Sequence, residues 1–380
     1  MKIVFLHSML RDYRINLFNS LYERMGVEFI FTCGSAFKKH EKIFGQAKMK
    51  YTLLEDKPNF IFNEDFDLGL FSALRRYDLV IASIPYRFPS IATYLSSRFS
   101  SRKYVLWDET WMLPSNMKYS VGKKIAGLVA RNAEHCIVAG SKAKEFYLKM
   151  GVPENRISVA PNSATSYEKK VLGSKERRIF RKKLGISEEK FVFLYLGRVV
   201  KYKGLDLLLR AFSEHEKERK NSVLIIAGDG PFSGECKALS KELGIRNVSF
   251  LGRVSEEEKS ALFSISNVFV LPSRFMMQDN VCCEAWGLSL NEAMSAGLPV
   301  ISTTAVGAAY DLIIEGKTGY LIEPEAQKIL DRMEEMESDP KKTKKMGESA
   351  QKRVRNNFSW EGQFEVFSRV ITLIMEGSPK

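Results

Sequence analysis

Short apolar runs alternate with longer stretches whose apolar positions recur every three or four residues, and this rhythm holds along most of the chain. In the first half the short runs fall at 2–6, 27–32, 78–82, 104–107, 135–139 and 157–159, with helical patterns at 16–25, 91–99, 121–131 and 142–150. Apolar strands separated by amphipathic helices predict parallel sheet with crossover helices. The rhythm pauses at the charged segment 163–178, read as an irregular linker, and resumes with a strand at 191–196 and a helix at 205–212. A further strand ends at 268–272, and a helix-like run follows at 293–301, with Gly297-Leu298-Pro299 as a stop signal. Ser255 and Glu258 have capping-box spacing, and two helical stretches, 341–356 and 360–375, flank a break at 357–359.

The candidate chemistry gathers after the strands of the second half. Glu284 and Glu292 stand with seven residues between them, around Gly287, Leu288 and Ser289. Free backbone N–H groups at those three residues suit an anionic diphosphate, and the two carboxylates suit sugar hydroxyls. The first carboxylate is placed on a polar loop and the second in the first turn of a helix. Read singly, they are a solvated loop charge and an acid complementing a helix dipole. Upstream, Gly197-Arg198 and Lys203-Gly204 leave the strand 191–196. Arginine offers a planar fork and lysine a mobile point charge to a diphosphate, although basic loop residues are ordinarily just solvated.

Those words, joined by Ala227-Gly228-Asp229-Gly230-Pro231, Phe250-Leu251-Gly252, Leu271-Pro272-Ser273 and Gly316-Lys317-Thr318-Gly319-Tyr320-Leu321, resemble in order and spacing the retaining GT-B glycosyltransferases of family 4, glycosyltransferase group 1. The resemblance covers residues 191–325. It implies an α/β chain of two Rossmann-like doubly wound domains facing a central cleft: 1–170 for the acceptor and 171–359 for the nucleotide sugar, with the last helix, about 360–380, packing back on the first. It implies Arg198, Lys203 and Glu284 as catalytic residues, the two cations on the donor diphosphate and Glu284 on the donor sugar. Gly197, Gly228, Arg253, Val254, Gly287, Leu288, Ser289 and Glu292 complete the donor site, with Glu292 on the ribose. The implied reaction moves a hexosyl group, with retention and without a metal or cofactor, from a nucleoside diphosphate sugar, UDP favoured, to an acceptor hydroxyl.

On the acceptor side, position nominates His7, Arg11, Tyr13 and Arg14 after the first strand, Asp108 and Glu109 after 104–107, Ser141 after 135–139, and Asn162 after 157–159. The chain departs from the family pattern twice here. No glycine-rich turn follows the first strand, and Trp107-Asp108-Glu109-Thr110 stands where several relatives have a histidine. The same glycine-free turn argues against a dinucleotide fingerprint.

Composition narrows the rest. At 380 residues two domains are the first expectation. Residues 1–170 carry 26 Lys and Arg against 16 Asp and Glu, whereas the remainder carries 32 against 29. The excess concentrates at 71–131 in Arg75, Arg76, Arg87, Arg98, Arg102, Lys103, Lys118, Lys123, Lys124 and Arg131, with Tyr94, Leu95 and Phe99 interleaved. Peripheral contact with an anionic membrane and a lipid-linked or other glycan acceptor fit that excess; so does a solvated basic surface. Nucleic acid is not expected, since no fold word for it is present. No apolar run approaches the roughly 20 residues of a spanning helix, and the start lacks a signal-peptide pattern, so the expected location is the cytoplasm or the inner face of the cell membrane. The five cysteines form no metal knuckle or even disulfide framework, and Cys282 and Cys283 read as small packing residues. The pair Asp65 and Asp67 has the spacing of a metal-holding Asp-x-Asp. The rival readings are a sugar-nucleotide 2-epimerase and a non-catalytic binder of nucleotide sugar or lipid.

Overall fold

The computed structural model describes residues 1–32, 37–54, 68–113, 117–164, 171–276 and 282–377; the Asp65 and Asp67 pair lies outside them. The chain forms two compact units, one of residues 1–163 with 359–380, the other of residues 164–358. In the first unit, strands β1 (Ile3–His7), β2 (Val27–Phe31), β3 (Tyr51–Leu53), β4 (Leu79–Ser83), β5 (Lys103–Asp108), β6 (His135–Val138) and β7 (Ile157–Val159) make one parallel sheet in the order β3-β2-β1-β4-β5-β6-β7. Helices α1 (Ile15–Met25), α2 (Phe37–Phe44), α3 (Gly69–Leu74), α4 (Phe88–Arg98), α5 (Met117–Arg131) and α6 (Ser141–Lys149) connect them.

The second unit opens with α7 (Ser174–Lys183), so the charged segment expected to be irregular is helical from Ser174. Glu176 caps it by accepting from Gly173 N–H at 2.8 Å, and its last turn is basic, which matches the helix dipole. Strands β8 (Phe191–Leu196), β9 (Ser222–Ala227), β10 (Val248–Gly252), β11 (Val268–Leu271), β12 (Val300–Thr303) and β13 (Gly319–Ile322) form a second parallel sheet in the order β10-β9-β8-β11-β12-β13. Helices α8 (Leu205–Glu218), α9 (Ser233–Glu242), α10 (Glu256–Ile265), α11 (Leu288–Ser295), α12 (Ala309–Leu312), α13 (Ala326–Ser338) and α14 (Pro340–Asn357) belong to it. The run 293–301 divides: its first part ends α11 and Val300-Ile301 opens β12, with Gly297 at φ 88° between them.

The last helix, α15 (Trp360–Glu376), packs in the first unit, where Phe364, Phe367, Val370, Ile371 and Ile374 join the core built on Phe5, Phe18, Phe29 and Trp107. Its apolar positions recur at helical spacing, so one face is buried along the whole helix. In each unit the order of strands reverses beside the first strand, between β1 and β4 and between β8 and β11. The carboxyl ends of strands at such a switch point leave room for a ligand.

Candidate active site

Every residue of β8 is buried, so the chain emerges from the core only at Gly197. The Tyr195 hydroxyl donates to the Arg198 carbonyl at 2.8 Å and holds this turn, while exposed Arg198 donates from Nη2 to the Tyr202 hydroxyl at 3.0 Å. Gly228 explains why glycines are required nearby: at φ 137°, a Cβ there would lie 1.8 Å from the Gly197 carbonyl oxygen. The Gly228-Asp229-Gly230 turn is therefore a close-packed support for the Gly197 turn.

Lys203, only 7% exposed, turns inward and its Nζ pairs with Oε2 of Glu284. Two residues proposed separately from the sequence thus meet. Glu284 is held from both sides by backbone: its N–H donates to Ala305 O at 2.9 Å and its carbonyl accepts from Gly307 N–H at 3.0 Å. Three residues on, Gly287 at φ 98° starts α11, and a Cβ there would sit 2.8 Å from Val306 Cγ1. The backbone N–H groups of Leu288 and Ser289 then open the first helical turn, where the dipole favours an anion.

Glu292 lies in the second turn of α11, not the first, because the helix begins four residues earlier at Leu288. It therefore does little for the helix dipole. Instead Oε1 of Glu292 accepts from Lys259 Nζ at 3.3 Å, and the same lysine meets Glu256 at 2.9 Å. Lys259 was not singled out from the sequence; the only signal was its position after the Ser255 capping box, which the structure forms as expected. Arg253 and Val254 follow β10, with Arg253 exposed and its charge helping to hold Asp229 below the usual carboxylate range, behind the hydrogen bonds from Gly230 N–H and Ser233.

A second ion pair sits beside the first: Arg274 Nη1 to Asp206 Oδ2 at 2.9 Å, with Arg274 N–H on Tyr202 O at 2.8 Å. Cys282 and Cys283 lie with their sulfurs 3.8 Å apart, and the buried Cys283 thiol is pushed up by its neighbour and by burial. In the 316–321 word, Thr318 Oγ1 accepts from Ile314 N–H at 2.8 Å, so that word shapes a turn. Among the described residues no group of three or more His, Cys, Asp or Glu is placed to hold a metal ion.

In the first unit, His7, Tyr13, Arg14 and Glu109 come together. Arg14, 7% exposed, bonds Glu109 through Nη2 and His7 Nε2 through Nη1, and its guanidinium lies 4.2 Å over the Trp107 ring and 5.1 Å from that of Tyr13. Met9 N–H donates to His7 Nδ1 at 3.1 Å, so both ring nitrogens face donors. Desolvation, then the Arg14 charge, keep His7 well below its ordinary pKa and therefore neutral. Arg11 stands exposed before this turn, and Ser141, half-buried, opens α6.

Asp108 and Asn162 are buried. Asp108 still belongs to β5 and is 3% exposed; its carboxylate accepts from Glu109 N–H, Thr110 N–H and Thr110 Oγ1 at 2.8, 3.1 and 2.8 Å, and from the Tyr147 hydroxyl at 2.9 Å. Asn162, 2% exposed, accepts from Gln363 Nε2 at 3.2 Å and ties β7 to α15. Glu109, the next residue after β5, is the more exposed acid, with 24% of its side chain in reach of solvent.

Two doubly wound parallel units of this kind define the GT-B class of glycosyltransferase fold. Among solved structures, Anabaena Alr3699/HepE in complex with UDP superposes with a TM-score of 0.81 at 19% identity over 98% of this chain and 100% of that chain. A glycosyltransferase of Rickettsia africae gives 0.79 at 18% identity over 99% of each. At such identities the likeness shows the fold. Residues 176–353 match the family model described as Glycosyl transferases group 1. The D-rhamnosyltransferase WbpZ of Pseudomonas aeruginosa is 35% identical over 44% of this chain and 41% of its own. The O-antigen chain mannosyltransferase C of Escherichia coli is 28% identical over 48% and 47%. The chain spans about half the length of the curated relatives it matches.

Two outcomes are expected. Burial raises Asp108 to about 6 against the usual carboxylate range near 4, so its contribution to stability is complete below pH ~4 and lost as pH rises through about 6, on the order of 3 kcal/mol. Urea denaturation at pH 4.5 and 7 should show that fall as a lower midpoint at pH 7, with Asp108→Asn reducing the difference; identical midpoints at the two pH values refute it. Lys203→Met should cost on the order of 3 kcal/mol by leaving Glu284 alone in a mostly buried site, and the double change with Glu284→Leu should recover much of the loss. A single variant as stable as the parent would show that the pair is not desolvated.

Proposed function

We propose that the protein is a retaining, metal-independent hexosyltransferase that uses a nucleoside diphosphate sugar. The observation that carries this reading is the Lys203–Glu284 pair at the switch point, beside exposed Arg198 and the amide-bearing start of α11. A diphosphate sugar would take both halves of the pair: its phosphates meet Lys203 and Arg198, its hydroxyls meet Glu284, and its ribose meets Glu292. As the glycosidic C–O bond breaks, charge grows on the leaving diphosphate, and the cations with the Leu288 and Ser289 amides stabilise it. The departing phosphate oxygen takes the acceptor proton, so no protein base is required. UDP is the favoured carrier, in keeping with the complexes of Anabaena Alr3699/HepE with UDP and with UDP-glucose. GDP-mannose, named for one curated relative, is the competitor.

The acceptor is a hydroxyl of a lipid-linked or polysaccharide glycan, with His7, Arg14 and Glu109 on its side. Peripheral contact with an anionic membrane is supported by the end of α4, where Phe99 is 90% exposed and Leu95 42%, beside exposed Arg75, Arg76 and Arg98. A groove of about 450 Å³ between Arg75, Leu95, Phe99 and Arg102 opens on this patch. Among the described residues no helix is long and apolar enough to cross a membrane.

A thermal-shift panel of UDP, GDP and ADP with their sugars should single out one carrier, and donor turnover by that sugar should fall about 10²–10³-fold in Arg198→Ala and beyond detection in Lys203→Ala and Glu284→Ala. Near-normal turnover in either of the last two refutes their roles. Pelleting with vesicles containing anionic phospholipid should occur at low salt, weaken at high salt, and drop in Phe99→Ser with Arg98→Gln. No pelleting at low salt removes the membrane contact.

A further inference from the structure

The second unit has a groove of about 460 Å³ away from the donor residues, between α14 and the turn before β13. Lys317, Lys342, Lys345, Lys352 and Arg353 line it, and none of its described lining residues is acidic. From residue 171 onward the chain carries 32 Lys and Arg against 29 Asp and Glu, so this is a local excess on a nearly neutral background. Crowding like charges into one concavity raises the energy of the empty protein unless a counter-charge occupies it.

The cations differ in what fixes them. Arg353 is pinned at the floor, Nε donating to Leu312 O at 3.0 Å and Nη2 to Asp311 O at 2.5 Å. Lys342 is partly neutralised by Glu335 at 3.0 Å. Lys317, Lys345 and Lys352 are exposed at the rim, and Ile314 and Met346 add apolar surface. Along α14, residues 342 to 352 span roughly 15 Å at 1.5 Å per residue. Charges spread over that length match a chain with negative groups at intervals rather than one phosphate, which a single arginine fork would hold better. A flat bilayer is met by a projecting surface, whereas these cations line a concavity.

We propose that this groove binds an acidic oligosaccharide, a glycan segment carrying carboxylates, at a site separate from the donor residues. The choice of glycan rests on the glycosyltransferase reading; the binding does not. Isothermal titration of the full chain with trigalacturonic acid, and with maltotriose as the neutral control, tests it. The acid should bind, the neutral trimer should not, and Lys317→Gln/Lys345→Gln/Lys352→Gln should weaken the acid about tenfold while UDP affinity stays unchanged. Equal binding of both trimers, or unchanged affinity in the triple variant, overturns the proposal. So does groove-dependent binding of tripolyphosphate or anionic vesicles without trigalacturonic acid. Failure of the parent protein to bind any of UDP, GDP and ADP would strike the donor reading and leave this one standing.

Discussion

A lysine and a glutamate, both drawn almost wholly out of water, face each other after the neighbouring strands β8 and β11, and the arrangement around them follows from that pairing. Neither charge is affordable alone at such burial. The turn after β8 and the loop after β11 therefore settle as one object. Backbone bonds from Glu284 to residues 305 and 307 extend it to the end of β12, so three successive strand ends are tied together. A ligand that separates the pair has to offer an anion to one partner and hydrogen-bond donors to the other. Few small molecules do both; a sugar joined to a diphosphate does.

The first unit solves a different problem with different means. Arg14 is as buried as Lys203, yet its charge is spread over a carboxylate, an imidazole and the face of an indole. A planar guanidinium can satisfy several partners at once, which an ammonium cannot. Burial first, and then the charge of Arg14 beside it, hold His7 well below its ordinary pKa. Its part in any chemistry is then that of a neutral ring, a donor or acceptor according to its tautomer. Asp108, next along the sheet, is a carboxylate spent on four hydrogen bonds inside the protein, so proximity to a strand end did not make it available.

These two units also show why the candidate residues of the second were legible and the cluster in the first was not. Donor-side words are constrained by backbone. Gly228 and Gly287 stand where a side chain would strike neighbouring atoms, so the glycines recur at fixed spacing and carry the surrounding residues with them. Strand positions were legible for the same kind of reason, since a strand buried on both faces must be apolar throughout. The first unit has no such anchor: His7 and Arg14 meet Glu109 through side chains from two separate stretches, and sequence spacing does not encode that meeting. The strand β3 is only three residues long, too short for a period to show, whereas α13 carries Ile329, Leu330, Met333 and Met336 at helical spacing and was overlooked. Lys259 was missed because its role depends on Glu292 being one turn deeper in α11 than the pattern suggested.

Charge counts need the same care. The basic stretch 71–131 reads as one patch in sequence, but its members do different things. Arg102 donates from Nε to Tyr77 O at 2.9 Å, Arg131 donates from Nη1 to Met150 O at 2.8 Å, and Lys103 donates to Ile374 O at 3.1 Å. Those three hold loops and a helix end in place, so their side chains are fixed and not free to reach towards a ligand. Arg75, Arg76, Arg98, Lys123 and Lys124 are exposed and remain available. Arg181, which bonds four backbone carbonyls, makes the same point in the second unit. Cations with no carbonyl to serve can move to meet an anion, and among the described residues the end of α4 and the rim of the α14 groove are two places that hold them.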